Sequence, residues 1–121
     1  MENIKILIVE DDDERIHWFR QEFGDFSLTI VKTAQAGISY VENEKFDIIF
    51  LDHDLGNRIF VDSEDLNTGY QVAKVIPKSK NSNTPVVVHS YNPAGVQNIV
   101  SILPNSVALP FGTFSKKLIN R

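Results

Sequence analysis

The stretch "DIIFLDHDLG", residues 47–56, sets an unbroken apolar run against a cluster of ionisable groups, and its reading decides the fold. Ile48, Ile49, Phe50 and Leu51 show no polar alternation. A short apolar run of this kind is expected of a strand buried on both faces, as in the middle of a parallel sheet. The run stops at Asp52, His53 and Asp54, each able to bind a metal or move a proton. In open parallel sheets, ligands bind outside the carboxyl ends of the strands. The cluster therefore stands where a site is expected.

Working outward, "IKILIV" (4–9) and "PVVVH" (85–89) are similarly apolar, and "LTIVK" (28–32) and "SVALP" (106–110) also read as strands. Amphipathic segments lie between them. Ile16, Phe19 and Phe23 share one face of a helix over 13–23, with Asp12 or Asp13 as N-cap. Ala34, Ile38 and Val41 mark a helix over 34–43, and Val96, Ile99, Val100 and Leu103 one over 94–103. Tyr70, Ala73, Val75 and Ile76 mark another over 68–77, where Pro77 disfavours helical geometry in Ile76 and signals the end. A short fifth helix is expected over 112–120, and "KSKNSNT" (78–84) reads as an exposed loop. Such alternation implies right-handed crossovers and an open parallel α/β sheet.

The chain's 121 residues fit one compact domain over 1–121, and 42% hydrophobic with 23% charged residues is the composition of a folded protein. A net charge of -4 gives no general attraction to nucleic acid, so no DNA-binding region is expected. No apolar run approaches the roughly 20 residues needed to span a bilayer. "MENIKILIVEDD" does not read as a signal peptide, so a cytoplasmic protein is expected. With no cysteine there is neither a disulfide nor a thiolate metal site.

Glu10, Asp11 and Asp12 follow the first strand, Asp52 to Asp54 the third, and His89 and Ser90 the fourth. If those strands are neighbours, all these groups converge on one crevice. Carboxylates crowded together repel, and a divalent cation relieves that repulsion. Mg²⁺ takes hard oxygen ligands, and histidine in the ligand shell also admits Mn²⁺ or Zn²⁺. Each residue has a plainer reading as well. "EDDDER" (10–15) caps a helix, His53 is a loop residue, and His89 is a satisfied core histidine. His17 reads as a surface residue and Trp18 as packing. "VDSEDLN" (61–67) reads more as a solvated insertion than as a lid over substrate. Arg15 and Arg58 are the basic residues best placed for a phosphate.

"ILIVEDD", "FDIIFLD", "PVVVHS" and the late "LPF" together resemble the response-regulator receiver domain over essentially the whole chain. The resemblance implies a flavodoxin-like (CheY-like), doubly wound, three-layer α/β/α fold with a five-stranded sheet in the order 2-1-3-4-5. It implies that Glu10 and Asp11 hold Mg²⁺, that Asp52 is the phosphoacceptor, that Asp54 lends a carbonyl to the metal, and that Ser90 is the switch hydroxyl. It would make a histidine kinase the partner in a phosphorelay. The departures are Leu109 in place of the receiver lysine, Ser106 in place of the aromatic switch residue, and bulky Tyr91 after the switch hydroxyl. Gly69 also lies 17 residues after Asp52, so the loop over 53–68 is expanded.

"LDHDLG", "TGYQVAKVI" and "VHSYNPAG" are similar to a narrower group, the cyclic-phosphate-processing receiver-like family. That resemblance implies metal-assisted hydrolysis of cyclic phosphate ends of RNA or of nucleotides. Under it His53 and His89 would divide acid and base roles around one phosphate. Asp11 and Asp52, joined by Asp12 or Asp54, would hold the ion, and Ser90 and Asn92 would bond phosphate or sugar. A phosphoacceptor receiver and a binding module without chemistry are the alternatives.

Overall fold

The computed structural model describes residues 3–119. Five parallel strands, β1 (Lys5–Val9), β2 (Ser27–Val31), β3 (Ile48–Leu51), β4 (Val86–Val88) and β5 (Ser106–Ala108), form one sheet in the order β2-β1-β3-β4-β5. The helices are α1 (Asp13–Phe23), α2 (Ala34–Asn43), α3 (Gly69–Val75) and α4 (Pro93–Ile102). This is the CheY-like order expected from the sequence. β3 and β4 are buried along their whole length, whereas the edge strands β2 and β5 are partly exposed. The purely apolar runs are thus the central strands, which have neighbours on both sides and cover on both faces.

Successive side chains of a strand point to opposite faces, and two apolar layers follow. Leu7, Val9, Ile49, Leu51, Val86 and Val88 meet α2, α3 and α4, with Val72, Ala73 and Ile99 among the buried partners. Ile6, Ile8, Ile48, Phe50 and Val87 face the other way, onto Phe19 and Phe23 of α1 and onto Phe114. Trp18 packs edge-on against Phe111 and Phe114, while His17 is exposed.

Local chemistry sets the helix starts. Asp12 caps α1 by accepting from the Arg15 amide (2.9 Å), Thr33 caps α2, and Asn92 caps α4 by accepting from the Gly95 amide (3.0 Å). Pro93 then occupies the first turn of α4, where a missing amide costs nothing. Two expectations need correction. Ile76 is helical (φ −52, ψ −47) and begins a 3₁₀ turn over Ile76–Lys78. Burial of its side chain in the core outweighs the preference imposed by the following proline. The helix expected over 112–120 is only a 3₁₀ turn, Lys116–Leu118, and residue 120 lies outside the described residues. Gly112 takes a left-handed conformation (φ 85) that breaks any longer helix, and Phe114 fills the core instead. Among the described residues no helix is long and apolar enough to cross a membrane.

Candidate metal and phosphate site

The register of the sheet builds the centre of the site. Val9 pairs with Leu51, and Leu51 with Val88. The next residue on each strand is therefore level with its neighbours, and these residues are Glu10, Asp52 and His89. The ladder continues through them: the Asp52 amide donates to the Val9 carbonyl (3.0 Å) and the His89 amide to the Leu51 carbonyl (3.1 Å). Alternation places all three side chains on the α1 face, in line with Ile8, Phe50 and Val87. All three are buried, and one ligand atom of each lies within 4.8 Å of the others.

His89 donates from Nε2 to Glu10 Oε1 (2.9 Å), because an ionised carboxylate only accepts. Its ring packs against Phe19, with centroids 5.3 Å apart, and its Nδ1 is buried without a hydrogen-bond partner among the described residues. Burial pushes Glu10 upward, but the hydrogen bond and charge of His89, the Asp12 amide and Arg15 outweigh it and hold Glu10 below the usual range. Asp52 is shifted the other way. Burial, then the adjacent Glu10 charge, push it up to about 8 despite Arg15 and the Ser90 hydroxyl. Arg15, on the first turn of α1, points its Nη1 between the two acids, 3.5 Å from Glu10 Oε1 and 3.9 Å from Asp52 Oδ2. Its guanidinium lies over the rings of Tyr91 (4.6 Å) and Phe111 (5.0 Å), which fix its direction.

Above this floor opens a cavity of about 630 Å³. Its lining includes six carboxylates, from Glu10, Asp11, Asp12, Glu14, Asp52 and Asp54, and two guanidinium groups, from Arg15 and Arg58. Such a surface repels a phosphate unless a cation is present. Two buried carboxylates and an imidazole at mutual ligand distance fit a divalent ion. Mixed oxygen and nitrogen donors suit Mn²⁺ or Zn²⁺ as well as Mg²⁺.

The remaining candidates divide between the cavity wall and the far face of the sheet. His53 has the opposite parity from Asp52, so its ring points to the other face of the sheet, under α4. A Cβ on Gly95 would overlap that ring, so only glycine lets α4 close over it. His53 Nδ1 donates to Asp54 Oδ1 (2.7 Å), and its Nε2 accepts from Ser63 Oγ (2.7 Å). Ser63 in turn accepts from Asn98 Nδ2 (2.9 Å). Carboxylate, imidazole and hydroxyl follow the order of an activated nucleophile. Yet Ser63 is buried and does not line the cavity, so the chain acts as a fastening. His53 and His89 thus belong to separate networks and do not flank one phosphate position.

Asp54 is also turned to structural work. Its carboxylate takes the amides of Phe60 (2.7 Å) and Val61 (3.2 Å) and the Asn92 side chain (3.1 Å). Burial pushes it upward, but these bonds together with His53 hold it below the usual range. Asn92 Nδ2 reaches the Val61 carbonyl as well (3.1 Å) and does not line the cavity. Asp12 uses its carboxylate as the α1 cap, as the plainer reading of "EDDDER" anticipates, and Asp11 accepts from the Asn57 amide (2.5 Å). Arg58 forks onto Asp65 (2.9 and 3.2 Å) and holds that carboxyl down to about 2. The segment 61–67 is solvated at Asp62, Glu64 and Leu66 but anchored by buried Ser63. Leu109, in the place of the receiver lysine, packs against the α1-face core. Arg15 was already a phosphate candidate from the sequence, and the Glu10–His89 pair was the functional feature least visible there. The shared parity of positions 10, 52 and 89 was the available signal.

Comparison with known proteins agrees with this fold. No curated protein sequence is similar to the chain at a significant level. The receiver domain of a CheY-like response regulator from Methanospirillum hungatei superposes with a TM-score of 0.74 at 18% identity, covering 98% of this chain and 90% of that one. The receiver domain of a sensor histidine kinase from Pseudomonas aeruginosa, with magnesium in its active-site cleft, gives 0.72 at 19% identity, covering 98% and 93%. A Mn²⁺-bound response regulator, Rcp1, gives 0.70 at 20% identity, covering 97% and 87%. At these identities the likeness shows the fold. Residues 6–105 match the cyclic-phosphate processing receiver domain, and the chain belongs to that family.

Proposed function

We propose that the protein is a divalent-metal-dependent phosphoesterase that opens cyclic phosphates to monoesters, with a 2′,3′-cyclic end of RNA or of a nucleotide as substrate. The observation that carries this reading is the buried Glu10–Asp52–His89 group at the floor of an open cavity, with Arg15 beside it. Glu10, Asp52 and His89 would hold the ion, and Asp11 lines the same cavity. When bound, the ion supplies positive charge for the phosphoryl oxygens and a water activated for attack. Arg15 donates to a phosphoryl oxygen from a position fixed by the two rings it stacks on. Ser90 lines the cavity beside Asp52, where its hydroxyl would face the phosphate. Hydrolysis breaks one of the two ester bonds of the ring and leaves a terminal monoester. His53 and Asn92 contribute by fastening the cavity wall, not by touching phosphate.

The test is incubation with 2′,3′-cyclic AMP in Mg²⁺ or Mn²⁺. A monoester should form, and Glu10→Gln or Asp52→Asn should slow its formation at least a hundredfold. Absence of turnover with either ion, across cyclic mononucleotides and oligonucleotides, would refute the reading.

The presence of Ser90 beside Asp52 in the cavity lining favours a second reading, Asp52 as a phosphoacceptor served by a histidine kinase. Acetyl phosphate should then add one acid-labile phosphoryl group, absent in Asp52→Ala. The packing of Leu109 into the core, where a receiver carries its lysine, speaks against this.

A further inference from the structure

The rim of the cavity carries side chains that phosphate and metal do not explain. Ile59, Phe60 and Tyr91 all line it, and they are 79%, 67% and 63% exposed. Large apolar groups left this open beside an acidic, metal-binding floor are costly unless something covers them.

Their placement is built. Phe60 has a left-handed backbone (φ 53), a conformation that bulky side chains rarely adopt, and Asn57 shares it (φ 58). Asp54 holds the turn by accepting from both the Phe60 and Val61 amides, and Asp54 is itself tied to His53 and Asn92. The loop is thus anchored from the far side of the sheet so that Ile59 and Phe60 stand free at the cavity. Tyr91 follows β4, and the Arg15 guanidinium on one ring face fixes it there.

We propose that Phe60 and Tyr91, supported by Ile59, form a stacking clamp for a nucleobase. Resting on the reading of the floor as a phosphoester site, this assigns the substrate class as ribonucleotides whose terminal phosphate sits over Glu10, Asp52 and Arg15. Every base has a flat π-face that stacks on aromatic side chains whatever its sequence. A cyclic phosphate on a polyol ring offers only hydroxyls to the same rim and gains nothing from exposed Phe60 and Ile59. The cavity, at about 630 Å³, is of the size that accepts a small organic ligand such as a mononucleotide.

Unreactive monoesters test the clamp apart from catalysis. Dissociation constants with Mn²⁺ are measured by calorimetry for adenosine 3′-monophosphate and for the base-less methyl riboside 3-phosphate. The wild type should bind the adenosine compound at least tenfold more tightly. Phe60→Ala should erase that difference, keep the affinity for the base-less phosphate, and retain cooperative melting. A trinucleotide with a 3′-phosphate, run alongside, separates the two sources of the base. Tighter binding than the mononucleotide identifies an RNA end, equal binding a free nucleotide, and both keep the clamp. Equal affinity for the base-bearing and base-less compounds overturns it. So does a change of oligomeric state in Phe60→Ala with unchanged nucleotide affinity, which would make the rim a protein interface. If cyclic phosphates with and without a base are hydrolysed equally well, the clamp fails and the phosphoesterase stands. If the base discrimination is found without any turnover, the reverse holds.

Discussion

Asp52 carries a conflict that a cation resolves, and in the metal-free protein this makes stability depend on pH. Its carboxyl stands at about 8 in the folded chain against an ordinary value of 3.8. Between those values the native state keeps a proton that the unfolded chain has released, so stability falls as pH rises through the window. At about 1.4 kcal/mol per unit the loss is on the order of several kcal/mol. Glu10 and Asp54 act in the opposite sense, because both are held below their ordinary values of 4.5 and 3.8. Their contribution is present above those values and vanishes as the solution is acidified. In EDTA the melting temperature should therefore peak near about pH 5 and decline toward pH 8, and Asp52→Asn should flatten the alkaline decline. Equal Tm at pH 5 and pH 8 in the wild type would contradict the assignment. Gly95 gives a second test on the far face of the sheet. Alanine there meets the His53 ring and should cost about 1–3 kcal/mol by denaturant titration.

Among the elements, the loop between β3 and α3 and the chain after β5 diverge most from their sequence-based reading. Leu55 roots the start of the loop in the core, and Asp54 holds its turn at Phe60 and Val61. Asp54→Ala should abolish hydrogen-exchange protection at the Phe60 and Val61 amides while central-strand amides stay protected; retained protection would mean that another anchor suffices. After β5, Phe114 stands in for a fifth helix by stacking on Phe50 (5.3 Å) and meeting Phe19 and Phe23. Phe114→Ala should cost about 3–5 kcal/mol, like other large core deletions, whereas a loss under 1 kcal/mol would show that the segment is peripheral. The strands were legible because central parallel strands leave an apolar run with no polar face. So was the meeting of acids at their ends, which follows from topology. The separation of His53 from His89 was not legible from neighbouring strand ends alone, because the face that each side chain takes depends on strand parity. Consecutive residues leave a strand on opposite sides, so Asp52 and His53 cannot serve the same face. The 3₁₀ ending at Ile76–Lys78 was not legible, since it depends on how firmly Ile76 is held in the core.

For the molecule as a whole, ion binding to the native state should raise stability by mass action. Mn²⁺ at a hundred times its dissociation constant is worth about 2.7 kcal/mol, and Glu10→Ala or Asp52→Ala should remove the gain. A melting temperature unmoved by Mn²⁺ would argue that Arg15 alone neutralises the acids. The level strand ends carry one more consequence, for how the chain tolerates change in length. Glu10, Asp52 and His89 meet only because β1, β3 and β4 are counted from the same row. Deleting one residue within β3 would turn Asp52 toward α4 and bring the residue before or after it to the cavity. The apolar layers would be exchanged at the same time. Several residues added between Asn57 and Leu66 would leave that count untouched. Length variation in this architecture is therefore confined to the loops, and the site is protected by arithmetic as much as by packing.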